Sequence, residues 1–114
     1  MINTVEKPWG REEWLELNDK YCFKVLYVAK GHKLSLQLHE EKIETLFVVS
    51  GRGVFTLEQP EVNLKEIIFS PGHWITIRPK QKHRIEALEN LKIVEASSPQ
   101  VEDVVRFNDD YDRV

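Results

Sequence analysis

No stretch of this chain keeps a 3.6-residue apolar period for more than a turn or two. Short runs rich in β-branched and aromatic residues recur instead, each cut off by Gly, Pro, Asn or Asp. A strand needs only a few such residues, and the turn formers supply the reversals between strands. The candidate strands are Glu12–Leu17, Cys22–Ala29, Leu34–Leu38, Thr45–Ser50, Gly53–Glu58, Asn63–Phe69, Trp74–Ile77, His83–Leu88 and Lys92–Ala96. Turn signals fall between them at Asn18-Asp19, Lys30-Gly31, Gly51-Arg52-Gly53, Gln59-Pro60, Ser70-Pro71-Gly72 and Glu89-Asn90. Many short strands at regular spacing predict an all-β sandwich or barrel. Only the stretch from Val101 onward has room for a helical turn, and its apolar spacing does not require one.

With 114 residues, 41% of them hydrophobic, the chain can bury one real core, so a single domain over residues 1–114 is expected. The longest apolar run, Val25 to Ala29, is far short of the ~20 residues of a membrane helix. The opening MINTVEKPWG lacks the apolar stretch of a secretory signal, and a cytoplasmic protein is expected. One cysteine, Cys22, excludes an internal disulfide and a Cys-rich zinc site, and is expected to be an inert buried thiol. The formal charge of −3 with dispersed cations argues against nucleic acid as a partner. The densest basic stretch, Arg78 to Arg84, could meet one small anion but could not track a polynucleotide. No glycine-rich loop of the phosphate-cradling kind precedes a helix, which excludes nucleotidyl transfer by these residues.

In Leu34-Ser35-Leu36-Gln37-Leu38-His39 the leucines occupy alternate positions. Strand geometry predicts that Leu34, Leu36 and Leu38 share an apolar face, while Ser35, Gln37 and His39 face water or a wet cavity. Gln37 and His39 can converge on a point, Glu44 can return on the next strand, and His83 lies beside a later one. Two imidazoles, a carboxylate and an amide oxygen form a mixed N/O set suited to Zn, Mn, Fe, Co or Ni, with no strong choice among them. Each residue taken alone reads equally as a solvated strand residue, and the spacing leaves both readings standing.

The segment Gly31-HKLSL-Gln37-Leu38-His39-EEKI-Glu44-TLFVVS-Gly51 resembles the first cupin motif, with Gln37 in place of its usual first His. Gly72-HWITI-Arg78-PKQK-His83-Arg84 is similar to the second, with Arg78, Lys80 and Ala87 replacing its usual Pro, Gly and Asn. Lys7-Pro8-Trp9-Gly10 with Trp14 at one end, and residues 101–114 at the other, complete a resemblance to the cupin domain of type II phosphomannose isomerases. Lys42 stands where that family usually has Arg, Leu46 where it has Trp, and Tyr111-Asp112-Arg113 where it has Tyr-Gly-Arg.

The resemblance implies a double-stranded β-helix, or jelly-roll barrel, holding one divalent metal on Gln37, His39, Glu44 and His83. It implies a sugar-phosphate aldose–ketose isomerase, converting mannose 6-phosphate to fructose 6-phosphate. Such chemistry needs a base near a carbon-bound proton, and Lys42, His73 and Glu86 are the candidates. Lys33, Arg84 and Arg106 are candidate grips for the sugar phosphate, although a regular strand turns Arg84 away from His83. A non-catalytic metal- or sugar-binding cupin, or another cupin enzyme, is the alternative. A homodimer is expected, because exposed sheet edges need covering.

Overall fold

In the computed structural model, which describes residues 3–61 and 63–111, burial alternates residue by residue along the strands Glu44–Ser50, Gly53–Leu57, His83–Ala87 and Leu91–Ser97. Such alternation means that each strand turns one side to a common interior. The strands are β1 (Asn3–Lys7), β2 (Gly10–Leu17), β3 (Cys22–Val28), β4 (Leu36–Leu38), β5 (Glu44–Ser50) and β6 (Gly53–Leu57). They continue as β7 (Lys65–Phe69), β8 (Trp74–Ile77), β9 (His83–Ala87), β10 (Leu91–Ser97) and β11 (Val105–Asn108). One sheet has the order β1-β2-β3-β10-β5-β8 and the other β11-β4-β9-β6-β7, with antiparallel pairing throughout. The described residues contain no helix long and apolar enough to cross a membrane.

The interior has a dry end and a polar end; the register sets Lys24 beside Glu95 across β3 and β10, and Glu44 beside Ser97 two residues further along β10. On β10 the inward residues run Leu91, Ile93, then Glu95 and Ser97. On β5 they run from Val48 and Leu46 back to Glu44, and on β9 from Ala87 and Ile85 back to His83. On β3, Val28 and Leu26 give way to Lys24. Phe55 and Phe69 stack in the dry end with ring centroids 4.3 Å apart, and Trp9 is buried with them. Burial of these side chains supplies the stability that lets a row of charges be held at the other end.

The hairpin between β5 and β6 depends on Gly51. Its φ is +81°, and a Cβ there would sit 2.1 Å from the Asn90 carbonyl oxygen. A residue with a side chain fits neither the conformation nor the space.

Three sequence expectations are corrected. Beyond Val101, where the sequence left room for a helical turn and offered no strand, β11 forms and pairs with β4, matching Val105 to Leu38 and Arg106 to Gln37. β1, absent from the candidates, pairs along its whole length with β2, and its single apolar residue, Val5, explains why periodicity missed it. The leucine alternation breaks before Leu36: Leu34 joins the core while Leu36 and Leu38 are half-buried. Asp112 and Arg113, named in the tail motif, lie outside the described residues.

Candidate metal centre

His39 follows the last residue of β4, Glu44 opens β5 and His83 opens β9, so both sheets contribute to one point at the polar end. All three are buried, at 5%, 4% and 3% exposure. His39 Nε2 lies 3.4 Å from Glu44 Oε1, and His83 Nε2 lies 3.3 Å from the same oxygen. One donor atom from each residue falls within 4.8 Å of the other two. Gln37 shares their cavity and is the register partner of His83 across β4 and β9.

The far side of each ring decides what this cluster can bind. His39 Nδ1 hydrogen-bonds the Asp103 carbonyl, and His83 Nδ1 hydrogen-bonds the Gln81 carbonyl at 2.9 Å. A carbonyl only accepts, so each neutral ring keeps its proton on Nδ1 and turns the Nε2 lone pair toward Glu44. Both Nε2 atoms are buried without a hydrogen-bond partner. A tetrahedral ion with bonds of about 2.1 Å has ligand–ligand edges of about 3.4 Å, the separation of each imidazole nitrogen from Glu44 Oε1. The residues present therefore fit a divalent ion.

Loops fix the ligands from behind. Lys80 N donates to the His39 carbonyl at 2.6 Å, from a residue with φ of 65°. Asp103 accepts from the backbone N–H groups of Glu40, Glu41 and Lys42 at 2.9, 2.7 and 3.0 Å. Desolvation pushes its carboxyl up, and these three donors together outweigh it, leaving it below the usual range.

From Glu44 a row of buried, alternating charges crosses the inner face of the larger sheet. Lys42 Nζ sits 3.2 Å from Glu44 Oε2 and 3.1 Å from Glu95 Oε2. Lys24 Nζ continues the row, 3.8 Å from Glu95 and 3.4 Å from Glu12. Trp14 Nε1 donates to Glu12 at 2.9 Å, and Lys24 Nζ lies 4.8 Å from the Trp14 ring centroid. Burial pushes Lys42 down, but Glu95 and Glu44 outweigh it and hold the ammonium above the ordinary lysine range. Burial pushes Glu44 up; the His39 and His83 rings, when they carry a proton on Nε2 as well, and Lys42 reverse this and hold the carboxyl well below its usual range. Burial and the charge of Glu44 push the Glu95 carboxyl up, against Lys24 and Lys42.

The cavity holds Gln37, His39, Glu44, His83, Lys42 and Arg106 together. Arg84 lines it as well, whereas His73, Glu86 and Lys33 do not. His73 is exposed, accepting from Ser70 N at 2.9 Å, and Glu86 is on the outward side of β9. Neither can move a proton in this cavity. Lys42 can, but it is held as an ammonium, which makes it a proton donor and not the expected base. Lys33 pairs with Asp110 at 3.9 Å. Arg84 borders the cavity, yet its guanidinium is spent on the Leu34 carbonyl at 2.8 Å, the Asn108 carbonyl and Asp110. Glu12, Lys24 and Glu95 were missed, although a charge inside an otherwise apolar strand, as in Phe23-Lys24-Val25 and Val94-Glu95-Ala96, is a readable signal.

The family described as mannose-6-phosphate isomerase C-terminal matches residues 1–109. This chain belongs to that family. A putative mannose-1-phosphate guanylyltransferase of Vibrio cholerae is 33% identical over 108 residues, which is 90% of this chain and 22% of that protein. The chain thus spans about a quarter or less of the guanylyltransferases that it matches. Among solved structures, KdgF from a Halomonas species superposes with a TM-score of 0.76 at 18% identity, covering 86% of both chains. A Klebsiella pneumoniae protein with a double-stranded β-helix domain superposes at 0.71 and 13% identity, covering 91% of this chain and 84% of that one. These likenesses give the fold: the mannose-6-phosphate isomerase C-terminal domain is a cupin, here with its cluster of ligands at the polar end of the barrel.

Proposed function

We propose that this cupin domain is a metal-dependent aldose–ketose isomerase of sugar phosphates, interconverting mannose 6-phosphate and fructose 6-phosphate. The supporting observation is the convergence of two unpaired Nε2 lone pairs and one carboxylate oxygen beside a buried, protonated Lys42. His39, Glu44 and His83 would hold the ion, with Gln37 the available fourth donor. Bound there, a divalent ion supplies Lewis-acid polarisation of a substrate oxygen. Three protein donors, or four, leave coordination positions for such oxygens.

The protein's own groups divide the remaining work. Lys42 presents N–H donors to an oxygen on which negative charge grows as a proton leaves the neighbouring carbon. Glu95 lines the same cavity, and its raised pKa suits a group that takes and returns that proton. The walls contributed by Leu26, Leu34, Leu46 and Ile85 limit water around it. The competing reading, a non-catalytic metal- or sugar-binding cupin, shares the metal but not the turnover.

The test is formation of fructose 6-phosphate from mannose 6-phosphate by purified protein loaded in turn with Zn, Mn, Fe, Co and Ni. Turnover with at least one metal, abolished by His39→Ala, is expected. No turnover with any of them, in protein shown to hold the ion, would leave the binding module as the function.

A further inference from the structure

We propose that residues 98–111 form a strap that gates the metal centre. It lifts off β4 to let the ion in or out, and a latch at its far end sets how often. The segment leaves β10 in one sheet, passes the polar end and joins the other sheet as β11, an edge strand. Val101, Val104 and Arg106 line the cavity, so the segment encloses the ligand cluster on that side.

The same segment braces the ligands. The Asp103 carbonyl accepts from His39 Nδ1, and the Asp103 carboxylate accepts from the backbone N–H groups of Glu40, Glu41 and Lys42. When Asp103 leaves, His39 loses the partner that fixes its tautomer, and the loop between β4 and β5 loses its hold. Opening the cavity and loosening the ligand are therefore one event.

Little apolar burial keeps the strap down. Val105 and Phe107 point outward, 39% and 43% exposed. Among the described residues of the strap, only Tyr111 packs against the hydrophobic core. β4 offers three residues for pairing, and the register is irregular between Arg106 and Asn108. An edge element with so few apolar contacts opens more readily than the domain unfolds. The resistance comes from polar contacts beyond β11. The Tyr111 hydroxyl bonds His32 Nδ1, and Asp110 lies 3.9 Å from Lys33 and 3.7 Å from Arg84. Arg84 also donates to the Asn108 carbonyl at 3.4 Å. His32, Lys33, Asp110 and Tyr111 do not line the cavity, so they act on the ion only through the strap.

A gate has its own kinetic signature. Populating the open form more often speeds uptake and release alike and leaves affinity unchanged, whereas damage to a ligand weakens affinity.

The experiment is stopped-flow exchange of Zn between the protein and a chromophoric chelator, which yields both rates. Tyr111→Phe and Asp110→Asn should each speed uptake and release about fivefold, with Kd within about twofold of wild type. A lock supplies the converse. Val105 and Leu38 are register partners, at a spacing that a cross-strand disulfide can bridge. Leu38→Cys combined with Val105→Cys, once oxidised, should slow both rates about tenfold or more, and a thiol reductant should restore them. Equal rates in the oxidised and reduced lock would overturn the gate. So would latch variants that release faster with unchanged uptake, because that describes a weaker site and not a freer path. A wild-type chain that takes up no Zn would remove the centre and the gate together. The inference rests on the metal centre and not on the isomerase reading, since no arm of the experiment needs turnover.

Discussion

Lys42 Nζ lies 3.2 Å from Glu44 Oε2, whereas both imidazoles face the other oxygen of that carboxylate, Oε1. The ammonium thereby holds one carboxylate oxygen away from the ligand cluster and aims the second at it. Such a contact behind a ligand fixes its orientation and tunes its affinity for a metal. It also sets a positive charge close to where a cation would bind, and Glu95, 3.1 Å from the same ammonium, offsets that charge.

Removing Glu95 should therefore weaken metal binding from a distance. Glu95→Gln leaves Lys42 uncompensated, and affinity for a divalent ion should fall about tenfold or more. Adding Lys42→Met to Glu95→Gln removes the unbalanced charge and should recover most of the loss. Competition against a chromophoric chelator measures both values. An additive pair of losses would show that packing, and not charge, links Glu95 to the site.

Lys80 adopts φ of 65°, a conformation that favours glycine, at the position where the second cupin motif usually has Gly. Lys80→Gly should relieve about 1 kcal/mol of backbone strain and raise Tm by several degrees. The His39 carbonyl contact is made by the backbone of residue 80, so metal affinity should be unchanged. Thermal denaturation with and without the ion checks both statements. A lower Tm would show that the lysine side chain stabilises the loop.

Much of this was legible in the sequence, and the gaps have physical causes. His39, Glu44 and His83 were readable through the resemblance to the two cupin motifs, because spacing alone left a solvated reading standing, and the structure brings them together. Lys42 was singled out by its place between them, but its two carboxylate partners decide its protonation, and Glu95 is distant in sequence. β11 escaped because a short strand with two exposed apolar residues, Val105 and Phe107, has no inward stripe to read. Phe107 packs outside, under Lys82 at 4.5 Å, while Tyr111 reaches the core and bonds His32. Cys22 is free and fully buried, as expected, and burial pushes its thiol up.

Asp103 gives the site an acid-sensitive prop. Its carboxyl lies below the ordinary value in the folded chain, so its contribution to stability is present above about pH 4. That contribution is lost as pH falls through the lowered folded-state value. Asp103→Asn should lower Tm at pH 7 and show a shallower decline in Tm between about pH 4 and 2. Parallel melts across that range check it, and an unchanged slope would assign the acid sensitivity to Glu44 instead.

The expected self-association should use the outer face near β8. Trp74 and Phe47 are register partners, 64% and 43% exposed, on an edge strand and its neighbour. A second copy of the chain would cover both the apolar pair and the unpaired edge. Light scattering should report a dimer that Trp74→Glu converts to monomer, and a wild-type monomer at micromolar concentration would contradict it.

Metal stoichiometry after equilibrium dialysis tests the central claim most directly. Convergence of His39, Glu44 and His83 predicts one tightly held divalent ion per chain, lost in His39→Ala, in Glu44→Ala and in His83→Ala while the fold persists. A chain that binds no divalent ion, or retains it after all three substitutions, would contradict a shared centre.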